Sequence, residues 1–181
     1  MTTDTTFVGA KGGVGTSTVA ALYALQVSRS GQPVHLTATD AASVQDLAAI
    51  LGVPTPSAGH VVEAAPRLTL GEARGPQATN IVDACTDCFS DHTGRVLLVL
   101  RNDYQSLRRA LGAPRTTAGL VLVSEPKRAL GRRDVEDVLA TPIVAELHLD
   151  PSVARTIDAG LLTGVRSPFN LALLADTVPT R

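Results

Sequence analysis

Between residues 9 and 18 the chain reads Gly9-Ala10-Lys11-Gly12-Gly13-Val14-Gly15-Thr16-Ser17-Thr18, a glycine-dense loop closed by hydroxyl residues. The stretches on either side give it a context. Thr5-Thr6-Phe7-Val8 is β-branched and aromatic, as in a strand, whereas Val19-Ala20-Ala21-Leu22-Tyr23-Ala24-Leu25-Gln26-Val27 spaces apolar residues helically up to a stop at Gly31. Strand, glycine loop and helix in that order bring backbone N–H groups together at a helix N-terminus. Such a concavity can hold a chain of phosphates without side chains. Glycine permits the tight path.

The ordinary phosphate-loop pattern G-x-x-x-x-G-K-[ST] is not met. Aligning Gly15-Thr16-Ser17 with its end puts Thr16 where the phosphate lysine belongs and Ala10 where the opening glycine belongs. What is met is K-G-G-x-G-x-[ST]-T, with the lysine at the front of the loop, here Lys11. This string resembles the deviant Walker A motif of the MinD/ParA family of P-loop ATPases. It is closest to the atypical CpaE/TadZ-like branch of pilus and secretion systems, in which a small residue replaces the second lysine. The chain has only two lysines, Lys11 and Lys127, against fourteen arginines, so a lysine inside this loop is not an accident of composition. The resemblance implies that Lys11 reaches nucleotide phosphates, commonly across a dimer interface. It further implies that Lys11, Gly12, Gly13, Val14, Gly15, Thr16, Ser17 and Thr18 bind ATP, with the Ser17 hydroxyl on Mg²⁺.

A chain of 181 residues with 44% hydrophobic side chains has enough apolar material for one domain with a sizeable core, and residues 1–181 are read as a single nucleotide-binding domain. A net charge of −1 gives no general attraction to nucleic acid or to an anionic membrane. No apolar run approaches a membrane span, and the polar, Thr-rich start does not read as a signal peptide, so a cytoplasmic location is expected. Abundant Ala, Arg, Gly and Thr with scarce Lys suggest a GC-rich bacterial genome.

Further along, Val34-His35-Leu36-Thr37-Ala38-Thr39-Asp40 reads as a strand that delivers an aspartate at its carboxyl end, the ligand side of a parallel sheet. The family has D-x-D here. Ala38 takes the first place and Asp40 the second, so the resemblance gives Asp40 a part in positioning the attacking water or, through water, Mg²⁺. The residue alone is equally compatible with a turn before a helix over 43–52, for which Ser43 and Asp46 suggest a capping box. Residues 54–59 are a loop by their breakers, and 67–71 a short strand or edge segment. Asn80-Ile81-Val82-Asp83 reads as a short strand whose aspartate either occupies the Walker B position on Mg²⁺ or caps a following helix. Cys85-Thr86-Asp87-Cys88 is a lone C-x-x-C, which cannot fill a tetrahedral metal site unless a symmetric partner supplies two more thiolates.

The runs 95–100 and 119–124 are continuously apolar, as in strands buried on both faces. Helices are expected over 104–111 and 132–139, a strand over 143–147, and a loop plus helix over 150–160. The alternation argues for a parallel α/β sheet with helices on both faces, and the resemblance names it a P-loop NTPase fold of the SIMIBI type. Where the family often has an adenine-contacting asparagine, this chain has Ser124-Glu125-Pro126. Arg101, Arg108, Arg109, Arg115, Arg128, Arg132 and Arg133 accumulate in this half, but Asp134, Glu136 and Asp137 follow directly, so a solvated, paired surface is favoured over nonspecific DNA binding. The amphipathic stretch 169–175 carries no Lys or Arg, which disfavours a membrane anchor. The expectation from these readings is an ATP- and Mg²⁺-binding switch, homodimeric with nucleotide and acting on a protein partner. Its hydrolysis should be weak, because Thr16 offers no charge to the transferring phosphate. The alternatives are a pseudo-ATPase scaffold without turnover and an iron–sulfur carrier using Cys85 and Cys88.

Overall fold

A computed structural model describes residues 4–75, 77–84, 86, 94–113 and 117–164. In chain order its elements are β1 (Thr5–Gly9), α1 (Thr16–Arg29), β2 (Val34–Ala38), α2 (Ala41–Leu51), β3 (Val61–Ala65), β4 (Leu68–Gly71), β5 (Thr79–Ala84), β6 (Arg95–Arg101), α3 (Tyr104–Ala110), β7 (Gly119–Ser124), α4 (Arg132–Leu139), β8 (Ile143–His148) and α5 (Pro151–Asp158). They build one eight-stranded sheet in the order β3-β4-β2-β5-β1-β6-β7-β8. All neighbouring pairs are parallel except the β3–β4 hairpin at one edge.

The two apolar runs behave as period-2 strands covered on both sides. On one face Leu97, Val99, Val121 and Val123 join a core with Phe7 of β1, Val19, Leu22 and Leu25 of α1, and Val44, Leu47 and Leu51 of α2. On the other, Leu98, Leu100, Leu120 and Leu122 pack under Leu107 of α3 and Val135 of α4. Each fully buried Leu or Val in these layers is worth about 1.5–3 kcal/mol, which is why such runs hold the sheet interior. Phe7 meets Tyr23 edge to face with ring centroids 5.4 Å apart, fixing α1 against β1. At the β7–β8 pair the register shifts after Leu120, and the extra residue Val144 lies over Gly119, where a Cβ would come within 2.6 Å of a Val144 methyl.

Two expectations need correction. Of the two readings of 67–71, the short strand holds as β4, but the edge position goes to β3, which precedes it and pairs antiparallel to it through the turn Pro66-Arg67. Proline presets φ at the first turn position and Arg67 adopts φ 66 at the second. β3 escaped notice because, apart from Val62, Ala64 and Ala65, it is exposed and lacks a buried alternation. Nor do Ser43 and Asp46 form a capping box. The N-cap of α2 is Asp40, whose carboxylate accepts from Ser43 N at 2.9 Å and from Ser43 Oγ at 2.7 Å. Asp46 is left outside the cap. Cys85, Cys88, Arg115 and the stretch 169–175 lie outside the described residues.

Candidate functional site

β1 ends at Gly9, and Ala10 N still donates to Val99 O of β6 at 2.8 Å, so the glycine loop leaves the sheet between β5 and β6. Gly9 has no room for a side chain, since a Cβ would lie 2.6 Å from Thr16 Oγ1 and 3.2 Å from a Val14 methyl. Val14, expected among the nucleotide-binding residues, is instead fully buried and pegs the loop into the core. Gly13 and Gly15 take φ 75 and 97, a region that L side chains rarely adopt. A Cβ on Gly12 or Gly13 would meet nothing within 4 Å, so the space over the loop is open. Gly15 is the N-cap of α1 and has no side chain to satisfy the first-turn N–H groups, which leaves Thr16, Ser17 and Thr18 presenting theirs to a ligand.

These residues form one wall of a cleft of about 390 Å³, in which Lys11, Gly12, Gly13, Gly15, Thr16, Ser17 and Thr18 all take part. Asp83 forms its floor. In the register Asp83 stands beside Phe7 of β1 and Ala38 of β2, and it therefore points to the α1 face. It is a strand residue rather than a helix cap, and only 3% exposed. The Ser17 hydroxyl donates to its carboxylate, while Oδ2 is buried without a hydrogen-bond partner. Burial pushes its carboxyl up to about 6; the Ser17 bond pulls it down, and the charges of Asp40 and Asp46 add to the rise. A divalent cation fits this spot, because a hydroxyl and an unpartnered carboxylate oxygen are hard ligands and a cation would offset the cost of a buried charge. Among the described residues no three His, Cys, Asp or Glu side chains converge on a metal cage. The donor set suits a cation shared with phosphates, as Mg²⁺ often is.

Asp40 is placed differently. It is exposed, absent from the cleft wall, and held in the cap of α2, where the Ser43 N–H and then the Ser43 hydroxyl keep its carboxyl below the ordinary range. The third acid, Asp46, lines the cleft together with Ser43. Sequence reading noticed Ser43 and Asp46 but assigned both to the cap; their spacing of three, which puts both on one helix face, was the signal for the cleft.

Lys11 also borders a second cavity of about 380 Å³ that includes Arg101, Asp103 and Arg128. Glu125 binds both arginines, at 3.3 Å to Arg101 and in a close pair to Arg128. Asp103 caps α3 through Ser106 N and Oγ at 2.8 and 2.9 Å. Burial would raise its carboxyl, but the Ser106 bonds and the Lys11 charge outweigh it and the net direction is down. Farther on, Arg132 pairs with Glu136 at 3.4 Å, as expected for a surface of paired charges.

No protein-family model matches the chain, and no curated protein matches it. Solved structures do. The MinD cell division protein of Aquifex aeolicus superposes with a TM-score of 0.73 at 16% identity, covering 99% of this chain and 100% of that one. A ParA family ATPase from Chlorobium tepidum gives 0.68 at 19% identity over 99% and 93% of the two chains. The septum site-determining protein MinD of Pyrococcus horikoshii, solved with Mg-ADP, gives 0.69 at 16% over 90% and 88%. At such identities the shared property is the fold, a mostly parallel P-loop NTPase sheet with the glycine loop after its first strand.

Proposed function

We propose that this chain is a nucleotide-dependent switch. ATP with Mg²⁺ binds at Lys11 to Thr18, two copies then pair face to face, and the pair positions or recruits a protein partner in the cytoplasm. The observation that carries this reading is the buried Asp83, with one carboxylate oxygen unpartnered and the other group tied to Ser17 at the foot of an open glycine loop. Likeness of fold to MinD bound to Mg-ADP and to a ParA family ATPase supports it.

In this reading the N–H groups opening α1 hold the phosphate chain, Ser17 and Asp83 hold Mg²⁺, and Lys11 meets the terminal phosphate, from its own subunit or from the facing one. Bound Mg²⁺ neutralises charge on the phosphates and on the leaving oxygens. Asp40, free of the cleft wall but near enough to act on Asp83, orients the attacking water once the loop is occupied. Turnover is weak because Thr16 brings no positive charge to the transferring group. The loop belongs to the deviant Walker A type. No helix among the described residues is long and apolar enough to cross a membrane.

Calorimetry with ATP and ADP tests the reading: Mg²⁺-dependent binding is expected, and no detectable heat at millimolar nucleotide would overturn it. A second reading, a pseudo-ATPase scaffold that binds nucleotide without turning it over, is favoured by one observation. Asp40, the candidate water-orienting acid, already has both carboxylate oxygens engaged by Ser43. Binding without phosphate release over hours would select it.

A further inference from the structure

To the cleft that the glycine loop lines, α2 contributes Ser43, Asp46 and Ile50, residues spaced three and four apart on a single helix face. The two acids at this end of α2 are in different states. Asp40 has both carboxylate oxygens taken by Ser43. Among the described residues no hydrogen bond or ion pair engages the Asp46 carboxylate, and it stands exposed on the cleft wall. Asp83 lines the same cleft, only 3% exposed and with Oδ2 partnerless. Against these two carboxylates the described cleft wall has one cation, Lys11.

We propose that Asp46 makes the admission of a nucleotide's phosphates conditional on a divalent cation, repelling the bare phosphate chain and facing the cation when the two arrive together. A phosphate chain without metal brings several negative charges against an unneutralised carboxylate. The same chain with Mg²⁺ brings a hard cation that keeps several of its waters, and those waters need acceptors. A carboxylate with no protein partner among the described residues, lining the same cleft as Ser17 and Asp83, accepts from them. Asp46 is thus a positioning residue that acts on the cation through its hydration. The inference rests on the reading of the cleft as a nucleotide site.

The test compares ATP and ADP affinities of the full chain in excess Mg²⁺ and in EDTA, for the native protein, Asp46→Asn and Asp46→Glu. Asp137→Asn, an exposed acid on α4, controls for net charge alone. Asp46→Asn should strengthen binding in EDTA and weaken it in Mg²⁺, narrowing the ratio of the two by roughly three- to tenfold, the size of one partly solvated charge interaction. Asp46→Glu should restore most of the ratio, and Asp137→Asn should leave it unchanged. Mn²⁺ bound in the presence of ADP, read by electron paramagnetic resonance, should weaken in Asp46→Asn in parallel. An unchanged ratio in Asp46→Asn, or equal loss in both buffers, overturns the role of Asp46 and leaves the nucleotide site standing. A native protein that binds neither nucleotide in either buffer overturns the nucleotide site and this inference together.

Discussion

Asp83 is a carboxylate held in the sheet at 3% exposure. Its folded carboxyl titrates at about 6, against 3.8 for the ordinary group, so between those values the folded chain holds a proton that the unfolded chain has lost. Stability therefore falls as pH rises through that window, and the penalty is complete above it. Asp83→Asn removes the charge with little change in shape. It should stabilise the nucleotide-free protein at pH 7.5 by an amount on the order of 1–3 kcal/mol, seen as a higher melting temperature, and leave it nearly unchanged at pH 4. Thermal melts at the two pH values check this; equal gains at both would mean that burial of the charge is not the cause. The same variant should lose Mg²⁺-dependent nucleotide binding. At Thr16 the expectation concerns rate. Thr16→Lys should raise ATP turnover more than affinity, because added charge counts most where charge develops in transfer. Steady-state phosphate release set beside a binding isotherm separates the two, and unchanged turnover would point to Asp40 or Asp83 instead.

At the scale of elements, aspartates after β2, β6 and β8 each open a helix by accepting from a serine two or three residues on: Asp40 with Ser43, Asp103 with Ser106, Asp150 with Ser152. Acids that a sequence pattern offers as ligands at the carboxyl ends of strands are therefore also structural here. Substitution can divide the two roles at Asp40. Asp40→Ala should destabilise the fold by about 1 kcal/mol through loss of the cap, whereas Asp40→Asn, an equally good cap, should not. If urea denaturation finds Asp40→Asn as stable as the native chain while phosphate release drops, the carboxylate has a chemical role. If both stability and release are unchanged, its role is the cap alone. The antiparallel β3 makes the opposite point, because an exposed edge strand has no buried face and so leaves little pattern in the sequence.

At the scale of the molecule, the parallel order of β2, β5, β1, β6, β7 and β8 sends every one of their carboxyl ends to one side, where the glycine loop, Asp83 and the start of α2 meet. Lys11 stands on that side between two cavities, in the field of Asp103, rather than folded down into the core. A lysine so placed can serve a second copy approaching the same face. Lys11→Ala should abolish nucleotide-dependent dimerisation without lowering stability, since a loop side chain of this kind fills no core. Light scattering after size exclusion, with and without a non-hydrolysable ATP analogue, reads it. A native chain that stays monomeric with bound analogue, or a variant that still dimerises, would confine Lys11 to its own subunit.

The sequence by itself determined the elements that have a strong period or a glycine requirement: the loop from Lys11 to Thr18, the doubly buried strands β6 and β7, and the helices α1, α3 and α4. Local chemistry suffices there, because an apolar run or a glycine at positive φ has few other homes. Asp83 was legible as a strand-end acid, but its role depends on its depth. Only the tertiary structure decided that it lies beneath Ser17 with an oxygen unpartnered, that Asp40 spends both carboxylate oxygens on the α2 cap, and that Asp46 faces the cleft. Burial, partnership and the direction of a side chain belong to the packed sheet, since they depend on which strands become neighbours across long stretches of chain, and one-dimensional spacing does not encode that.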